Sequence, residues 1–110
     1  MATWEDFQKI DIRVGTITQV EDFKEARNPT YKVWVDFGEF GVKQSSAQIT
    51  KYYSKDELVG RQVVCIVNFA KKQIANFFSE VLIMGAYDGS QNNVVLLQVE
   101  RNVKNGSKIG

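Results

Sequence analysis

Positively charged and aromatic side chains are concentrated in one stretch of the sequence, Asn68–Gly85. It follows one apolar run, Val63–Val67, and ends in a second, Val81–Met84, and both runs are typical of buried strands. Its ring-bearing and cationic members are Phe69, Lys71, Lys72, Phe77 and Phe78. Rings stack on unpaired bases and lysines follow phosphates, so this combination indicates a binding site for single-stranded or looped nucleic acid. An alternative stays open: the phenylalanines close the end of a barrel and the lysines are merely solvated.

The residue types that carry out catalysis are nearly absent. The chain has no histidine, which removes Ser–His and Cys–His nucleophile pairs and the commonest metal ligand. Its single cysteine, Cys65, lies in an apolar run and is typical of a small buried hydrophobe. The carboxylates Asp11, Asp36 and Glu80 are scattered, without a partner base, a glycine-rich phosphate loop or metal-ligand spacing. We therefore predict no catalytic residue, no metal site and no cofactor.

Length and composition indicate one ordinary globular domain. The 110 residues are 44% hydrophobic and 25% charged, which argues against disorder. Fourteen basic and thirteen acidic residues give a net charge of +1, so only a local patch of charge could attract nucleic acid. No apolar stretch is long enough to span a bilayer, and the first residues lack a signal-peptide pattern. We expect a cytoplasmic protein that does not insert into membranes.

Alternating apolar residues predict an all-β fold. The clearest strand is Tyr31–Phe37, where Lys32, Trp34 and Asp36 face away from the apolar side; Trp34 is a candidate stacking or interface residue. The first strand, Asp11–Val20, changes register, and we expect a bulge near Gly15. Further strands are predicted at Val42–Ile49, Gln62–Val67, Val81–Met84 and Val94–Val99. Asn105-Gly106 predicts a turn and a short final ribbon.

Two short helices accompany these strands. Thr3 is suited to cap a helix that ends near Lys9, and Ser54 with Glu57 forms a capping box for a second helix that Gly60 would stop. Five of these strands, curled and with a helix between the third and fourth, match the OB-fold, a partly open five-stranded Greek-key barrel. The apolar face of the first helix carries Trp4, Phe7 and Ile10. Because so short a helix is unstable alone, this face must dock on the barrel or, as we favour, on a partner chain.

Several separated motifs resemble one known family. They are Phe7–Gly15, Asn28–Gly38, Ser45–Thr50, Leu58–Val63, Asn68–Leu82 and Val94–Gln98. In this order they resemble the tRNA-binding OB domains appended to some aminoacyl-tRNA synthetases, and more specifically the free-standing members of that family, the export-related chaperones of the CsaA type. The resemblance covers essentially the whole chain.

The resemblance implies a homodimer that binds the body of tRNA without regard to sequence and, for CsaA-type members, holds unfolded or pre-export polypeptides. The tRNA-binding positions that it implies are Arg13, Asn28, Lys32, Ser45, Ser46, Lys72, Gln73 and Ser79. Residues 1–10 and 100–110 are the expected dimerisation elements. Lys32, Lys43, Lys71 and Lys72 could form one basic strip if the strands pair as predicted.

Polypeptide holding is the second hypothesis for function. It would use exposed aromatic side chains, since exposed apolar patches usually mark interaction sites. The candidates are Trp34, Phe69, Phe77 and Phe78. The orientation of Phe77 and Phe78 decides between the two hypotheses, because rings buried in the barrel cannot anchor a peptide.

Overall fold

Five antiparallel strands form one nearly closed barrel sheet in the computed structural model, which describes residues 1–110. The strands of this sheet are β1 (Ile12–Asp22), β2 (Tyr31–Asp36), β3 (Val42–Ala47), β4 (Gln62–Ile66) and β7 (Leu82–Ile83). Their order across the sheet is β3-β2-β1-β4-β7. The predicted all-β OB-fold with two short helices is confirmed.

Two hairpins, a 3-10 turn and two helices accompany this sheet. Two hairpins are formed by β5 (Lys72–Ile74) with β6 (Phe77–Ser79), and by β8 (Gly85–Tyr87) with β9 (Val94–Leu96). A 3-10 turn (Gly38–Phe40) links β2 to β3, and the helices are α1 (Trp4–Gln8) and α2 (Lys55–Leu58). The predicted strand Val94–Val99 therefore lies outside the main sheet, and the predicted strand Val81–Met84 is shorter than expected.

The core is built from the alternation that the sequence predicted on β2. Tyr31, Val33, Val35 and Phe37 are all buried, while Trp34 between them is half-buried on the opposite face. Leu58 brings α2 into the same cluster. A second, smaller apolar cluster lies on the other side of the sheet, at Ile12, Val14, Val64 and Ile66.

The bulge in β1 is not at the glycine that suggested it. The register with β2 shifts between Ile17 and Gln19, three residues beyond Gly15. Gly15 has a different role: a Cβ there would lie 2.6 Å from Val35 Cγ1 and 2.8 Å from Phe37 Cδ1. The glycine thus allows β1 to approach β2 closely.

The tail does not form the ribbon of its own that we predicted. It pairs with the start of β1: the N–H of Gly106 donates to Val14 O at 2.7 Å, and the N–H of Ile109 donates to Ile12 O at 2.9 Å. The edge of β1 that β2 leaves free is thereby covered, and Ile109 packs against the second apolar cluster.

Both helix caps are present as predicted. The N–H of Asp6 donates to Thr3 Oγ1 at 3.1 Å, and Ser54 and Glu57 form the corresponding box before α2. However, α1 has no buried side chain. Neither helix has the length or the apolar run needed to cross a bilayer.

Candidate nucleic-acid interface

The β5–β6 hairpin folds over the outer face of β2 through one buried ring. Phe77 meets Phe23 edge-on with ring centroids 5.4 Å apart, and it meets Trp34 edge-on at 6.1 Å. Phe77 is only 6% exposed, yet it belongs to neither core cluster. A small aromatic cluster outside the barrel therefore holds the hairpin in place.

Lys32 lies on this aromatic cluster. Its Nζ is 4.8 Å from the centroid of the Phe23 ring and 5.3 Å from that of Phe77. Ring faces attract a cation, and two of them restrict where the ammonium group can lie. Phe23 was not among the residues selected from the sequence; its only signal there is an aromatic residue within the polar stretch that precedes β2.

Three side chains continue from Lys32 across the outer face. Lys32 lies opposite Ser46 in the β2–β3 register, the N–H of Ser46 donates to Ser79 Oγ at 3.1 Å, and Ser79 lies opposite Lys72. Directly opposed residues of an antiparallel pair project from the same face. We call this set, Lys32, Ser46, Ser79 and Lys72, the lysine–serine row.

The two ends of the row carry its positive charge. Neither lysine has an acidic partner within ion-pair distance; Lys71, by contrast, lies 3.7 Å from Glu80 Oε2. Lys43 lies opposite Val35, on the barrel side of β3. The four lysines predicted as one strip therefore divide, and only Lys32 and Lys72 share the row.

Two of the predicted tRNA-binding side chains are already engaged in contacts with other residues of the same chain. Ser45 is 1% exposed, faces the core opposite Val33 and donates its hydroxyl to Ser46 O. Arg13 donates from Nη1 to Gly106 O at 2.9 Å, and its guanidinium lies 4.2 Å from the Phe40 ring centroid. The β2–β3 register turns the Ser45 side chain inward, so it offers no exposed hydroxyl in this structure.

The other two predicted positions lie outside the row. Asn28 is exposed on the connection between β1 and β2, beside an open groove of about 470 Å³ that reaches Thr50. Gln73 lies opposite Phe78, so the two project from the face of the hairpin that Lys72 and Ser79 do not use.

The predicted peptide anchors also divide. Phe69 and Phe78 are 47% and 49% exposed, Trp34 is half-buried, and Phe77 is buried against Trp34. Phe77 therefore offers no exposed ring to a peptide in this structure, and its ring packs the hairpin against Trp34. No three of the cysteine and acidic side chains lie close enough together to hold a metal ion.

Residues 12–108, nearly the whole of this structure, match the family model described as a putative tRNA binding domain. The chain belongs to this family. Among family-related sequences, the methionine–tRNA ligase of Thermococcus onnurineus is 42% identical over 106 residues, which are 96% of this chain and 14% of that ligase. The chain therefore spans about a seventh of the length of the curated relatives it matches.

Solved structures similar to this tRNA-binding-family domain include two chaperones. The chaperone CsaA of Bacillus anthracis is 51% identical, with a TM-score of 0.95 over 100% of this chain and 99% of that one. The CsaA chaperone protein of Picrophilus torridus is also 51% identical, with a TM-score of 0.92 and full coverage of both chains. The MetRS related protein of Pyrococcus horikoshii, 23% identical with a TM-score of 0.87, shares the fold.

Proposed function

We propose that this domain binds tRNA through the lysine–serine row and performs no chemistry of its own. The observation that carries this proposal is the pair of unpaired ammonium groups at the two ends of the row, Lys32 and Lys72. Membership of the tRNA-binding family supports it. Binding to tRNA would place the protein in the cytoplasm.

The row suits the sugar–phosphate backbone better than the bases. Phe23 and Phe77 are buried, so the rings nearest the row have no free face for stacking. The Ser46 hydroxyl makes no hydrogen bond within the chain and is free for a phosphate or a 2′-hydroxyl. Contacts of this kind orient a protein on RNA without reading sequence, which is the behaviour expected of a domain that recognises tRNA by shape.

A titration against labelled total tRNA at several salt concentrations tests this proposal. Lys32→Ala and Lys72→Ala should each weaken binding by about tenfold and lower the slope of log K against log salt by about one, since each removes one phosphate contact. Lys104→Ala is the matched control, because Lys104 is exposed on the tail that pairs with β1. Equal affinity and equal salt slope for all three variants would refute the proposal.

We further propose that the domain acts as a homodimer, with α1 in the interface. Trp4 is 61% exposed, and its ring lies 5.4 Å from that of the partly exposed Phe7. A helix of five residues with no buried side chain has little to stabilise it within its own chain. Leu82, also exposed, lies opposite Ile66 and so extends the face of the second apolar cluster. A second copy of the chain would cover both the apolar face of α1 and Leu82.

Sedimentation analysis tests the dimer. The protein should sediment at twice its 12.5 kDa chain mass, and removal of residues 1–9 should give a soluble but weaker or monomeric species. The double variant Trp4→Ser/Phe7→Ser should act like the truncation, whereas Val59→Ser, which removes an exposed apolar side chain beside α2, should not. A truncated protein that remains a full-strength dimer would show that the interface is elsewhere.

Holding of unfolded or pre-export polypeptides is a second candidate function. The similarity to CsaA chaperones and the exposed rings of Phe69 and Phe78 support it. The double variant Phe69→Ser/Phe78→Ser should lose the ability to suppress aggregation of denatured lysozyme, measured by light scattering, while Tyr87→Ser should keep it. Undiminished suppression by the double variant would remove these rings as anchors.

A further inference from the structure

A second recess, with a volume of about 220 Å³, lies apart from the lysine–serine row. It is lined by Asp11, Arg13, Phe37, Phe40, Lys43 and Val67. Phe37 is part of the main core and Val67 packs against that core, so the recess reaches the edge of the barrel interior. We call it the mouth pocket, because the mouths of β-barrels are frequent positions for ligand sites.

One wall of the mouth pocket is fixed by a stacked cation. The Arg13 guanidinium lies 4.2 Å from the centroid of the Phe40 ring, Nη1 is bonded to Gly106 O, and Nε lies 3.0 Å from Asp11 Oδ1. That Nε and that oxygen are both shielded from solvent and form no hydrogen bond with suitable angles. Arg13 is therefore held by its own chain, as one flat side of the pocket.

Lys43 supplies the free charge of the mouth pocket. Its side chain is exposed and has no acidic group within ion-pair distance, unlike that of Arg13. The carboxylate of Asp11 is one-third exposed and can still accept hydrogen bonds at the edge of the pocket. The pocket thus combines an apolar floor, a ring with a stacked guanidinium, one free cation and one acceptor.

We propose that the mouth pocket binds one unpaired nucleotide, with its base against Phe40 and the apolar floor and its phosphate on Lys43. The volume is below the range of about 300 to 1,000 Å³ that suits drug-sized ligands, so one ring system is the appropriate size. Unpaired bases stack on aromatic rings and on arginine planes in single-stranded RNA recognition. An ammonium group without an acidic partner is a suitable contact for the adjoining phosphate.

The acceptor on Asp11 predicts which base is preferred. A carboxylate accepts a hydrogen bond from an exocyclic amino group such as cytosine N4, and uracil has no such group. The pocket should therefore favour a cytosine nucleotide over a uracil nucleotide.

This site is independent of the proposed tRNA-binding row. Lys43 and Ser46 are three residues apart on β3, roughly 10 Å along the strand, and their side chains project from opposite faces. A variant of the row should therefore leave nucleotide binding at the mouth pocket intact, which separates failure of this proposal from failure of the tRNA proposal.

Titration of the isotopically labelled protein with cytidine 5′-monophosphate, followed by NMR, tests the proposal. The amide signals of Phe40, Lys43 and Val67 should move and saturate at millimolar nucleotide. Cytidine without the phosphate, and uridine 5′-monophosphate, should each bind about five- to tenfold more weakly. Lys43→Ala should weaken cytidine 5′-monophosphate binding by about tenfold, while Lys51→Ala, a control at another exposed lysine, and Lys72→Ala should leave it unchanged.

A second variant distinguishes loss of binding from loss of the fold. Phe40→Leu keeps an apolar side chain at a half-exposed position, so the fold should survive while saturable binding is lost. The proposal is overturned by signals that move only at the lysine–serine row, by the absence of saturation, or by equal affinity of the Lys43→Ala variant. Tighter binding of N-acetylphenylalanine than of the nucleotide would overturn it in favour of a peptide site.

Discussion

The N–H of Ser46 donates to the Ser79 hydroxyl at 3.1 Å, and this bond joins the β5–β6 hairpin to β3. Three more bonds support the same junction: the N–H of Glu80 donates to Gln44 O at 2.8 Å, the N–H of Gln44 donates to Glu80 Oε1 at 3.1 Å, and Gln44 Nε2 donates to Phe78 O at 2.8 Å. Because the proposed tRNA-binding row crosses this junction, the hairpin must stay attached for Lys32 and Lys72 to act on one ligand.

Ser79→Ala should loosen this attachment without removing a charge. The N–H of Ser46 would lose its acceptor, which typically costs about 1 kcal/mol of stability, or a few degrees in Tm. Calorimetry should show that loss, and hydrogen exchange should quicken in β5 and β6 but not in β1. Ser90→Ala, at an exposed serine of the β8–β9 connection, is the control. Unchanged exchange in the hairpin would mean that the other three bonds suffice to hold it.

The cluster of Lys32 with Phe77 can be tested by a double-mutant cycle. Phe77→Leu should weaken tRNA binding about as much as Lys32→Ala does, because the lysine would lose one of the two rings that position it. The two changes together should cost less than the sum of their separate effects, as expected for residues in contact.

Phe78→Leu is the matched control for this cycle, since Phe78 is adjacent on β6 but exposed. It should leave tRNA affinity unchanged. Strictly additive effects of Phe77→Leu and Lys32→Ala on affinity would show that Phe77 does not position the lysine.

Much of the barrel was predictable from the sequence, because the patterns that specify its strands and helix starts depend on interactions between residues close together in the chain. The alternation on β2 identified the buried face, and the N-cap residues Thr3 and Ser54 located both helix starts. Both signals involve residues at most a few positions apart, so no tertiary knowledge is needed.

The site was less predictable because it depends on register. Ser45 and Ser46 are the same residue type in adjacent positions, and only the pairing of Ser46 with Lys32 decides which hydroxyl faces outward. The β5–β6 turn was also not recognisable from the sequence. It contains Ala75 at a φ of +53° instead of the Asn-Gly or Asp-Gly pair that usually signals a hairpin.

Gly15→Ala should be strongly destabilising even though alanine is small. The new methyl group would lie 2.6 Å from Val35 Cγ1 and 2.9 Å from the backbone oxygen of Asp36, and the backbone cannot move aside cheaply. Overpacking of a core typically costs about 1 to 3 kcal/mol. Urea denaturation should show this loss of stability.

Gly110→Ala, where an added Cβ meets nothing within 4 Å, is the control and should be neutral. A stability loss below about 0.5 kcal/mol for Gly15→Ala would mean that β1 and β2 can separate easily.

Burial raises the pKa of the Cys65 thiol from 9.0 to about 12, and this shift should make the fold sensitive to alkaline pH. Below pH 9 the thiol is neutral in the folded and unfolded chain, so it does not affect the pH dependence of stability. Between pH 9 and 12 the unfolded chain loses the proton and the folded chain keeps it, so stability falls as pH rises, by about 1.4 kcal/mol per pH unit. Urea denaturation of the reduced protein at pH 7.5, 9.5 and 10.5 measures this loss of stability.

Cys65→Ala is the comparison variant. It should be less stable at neutral pH, since it leaves a small cavity, but its stability should decline less steeply above pH 9. Parallel declines for the two proteins would show that lysine and tyrosine ionisation alone causes the alkaline loss.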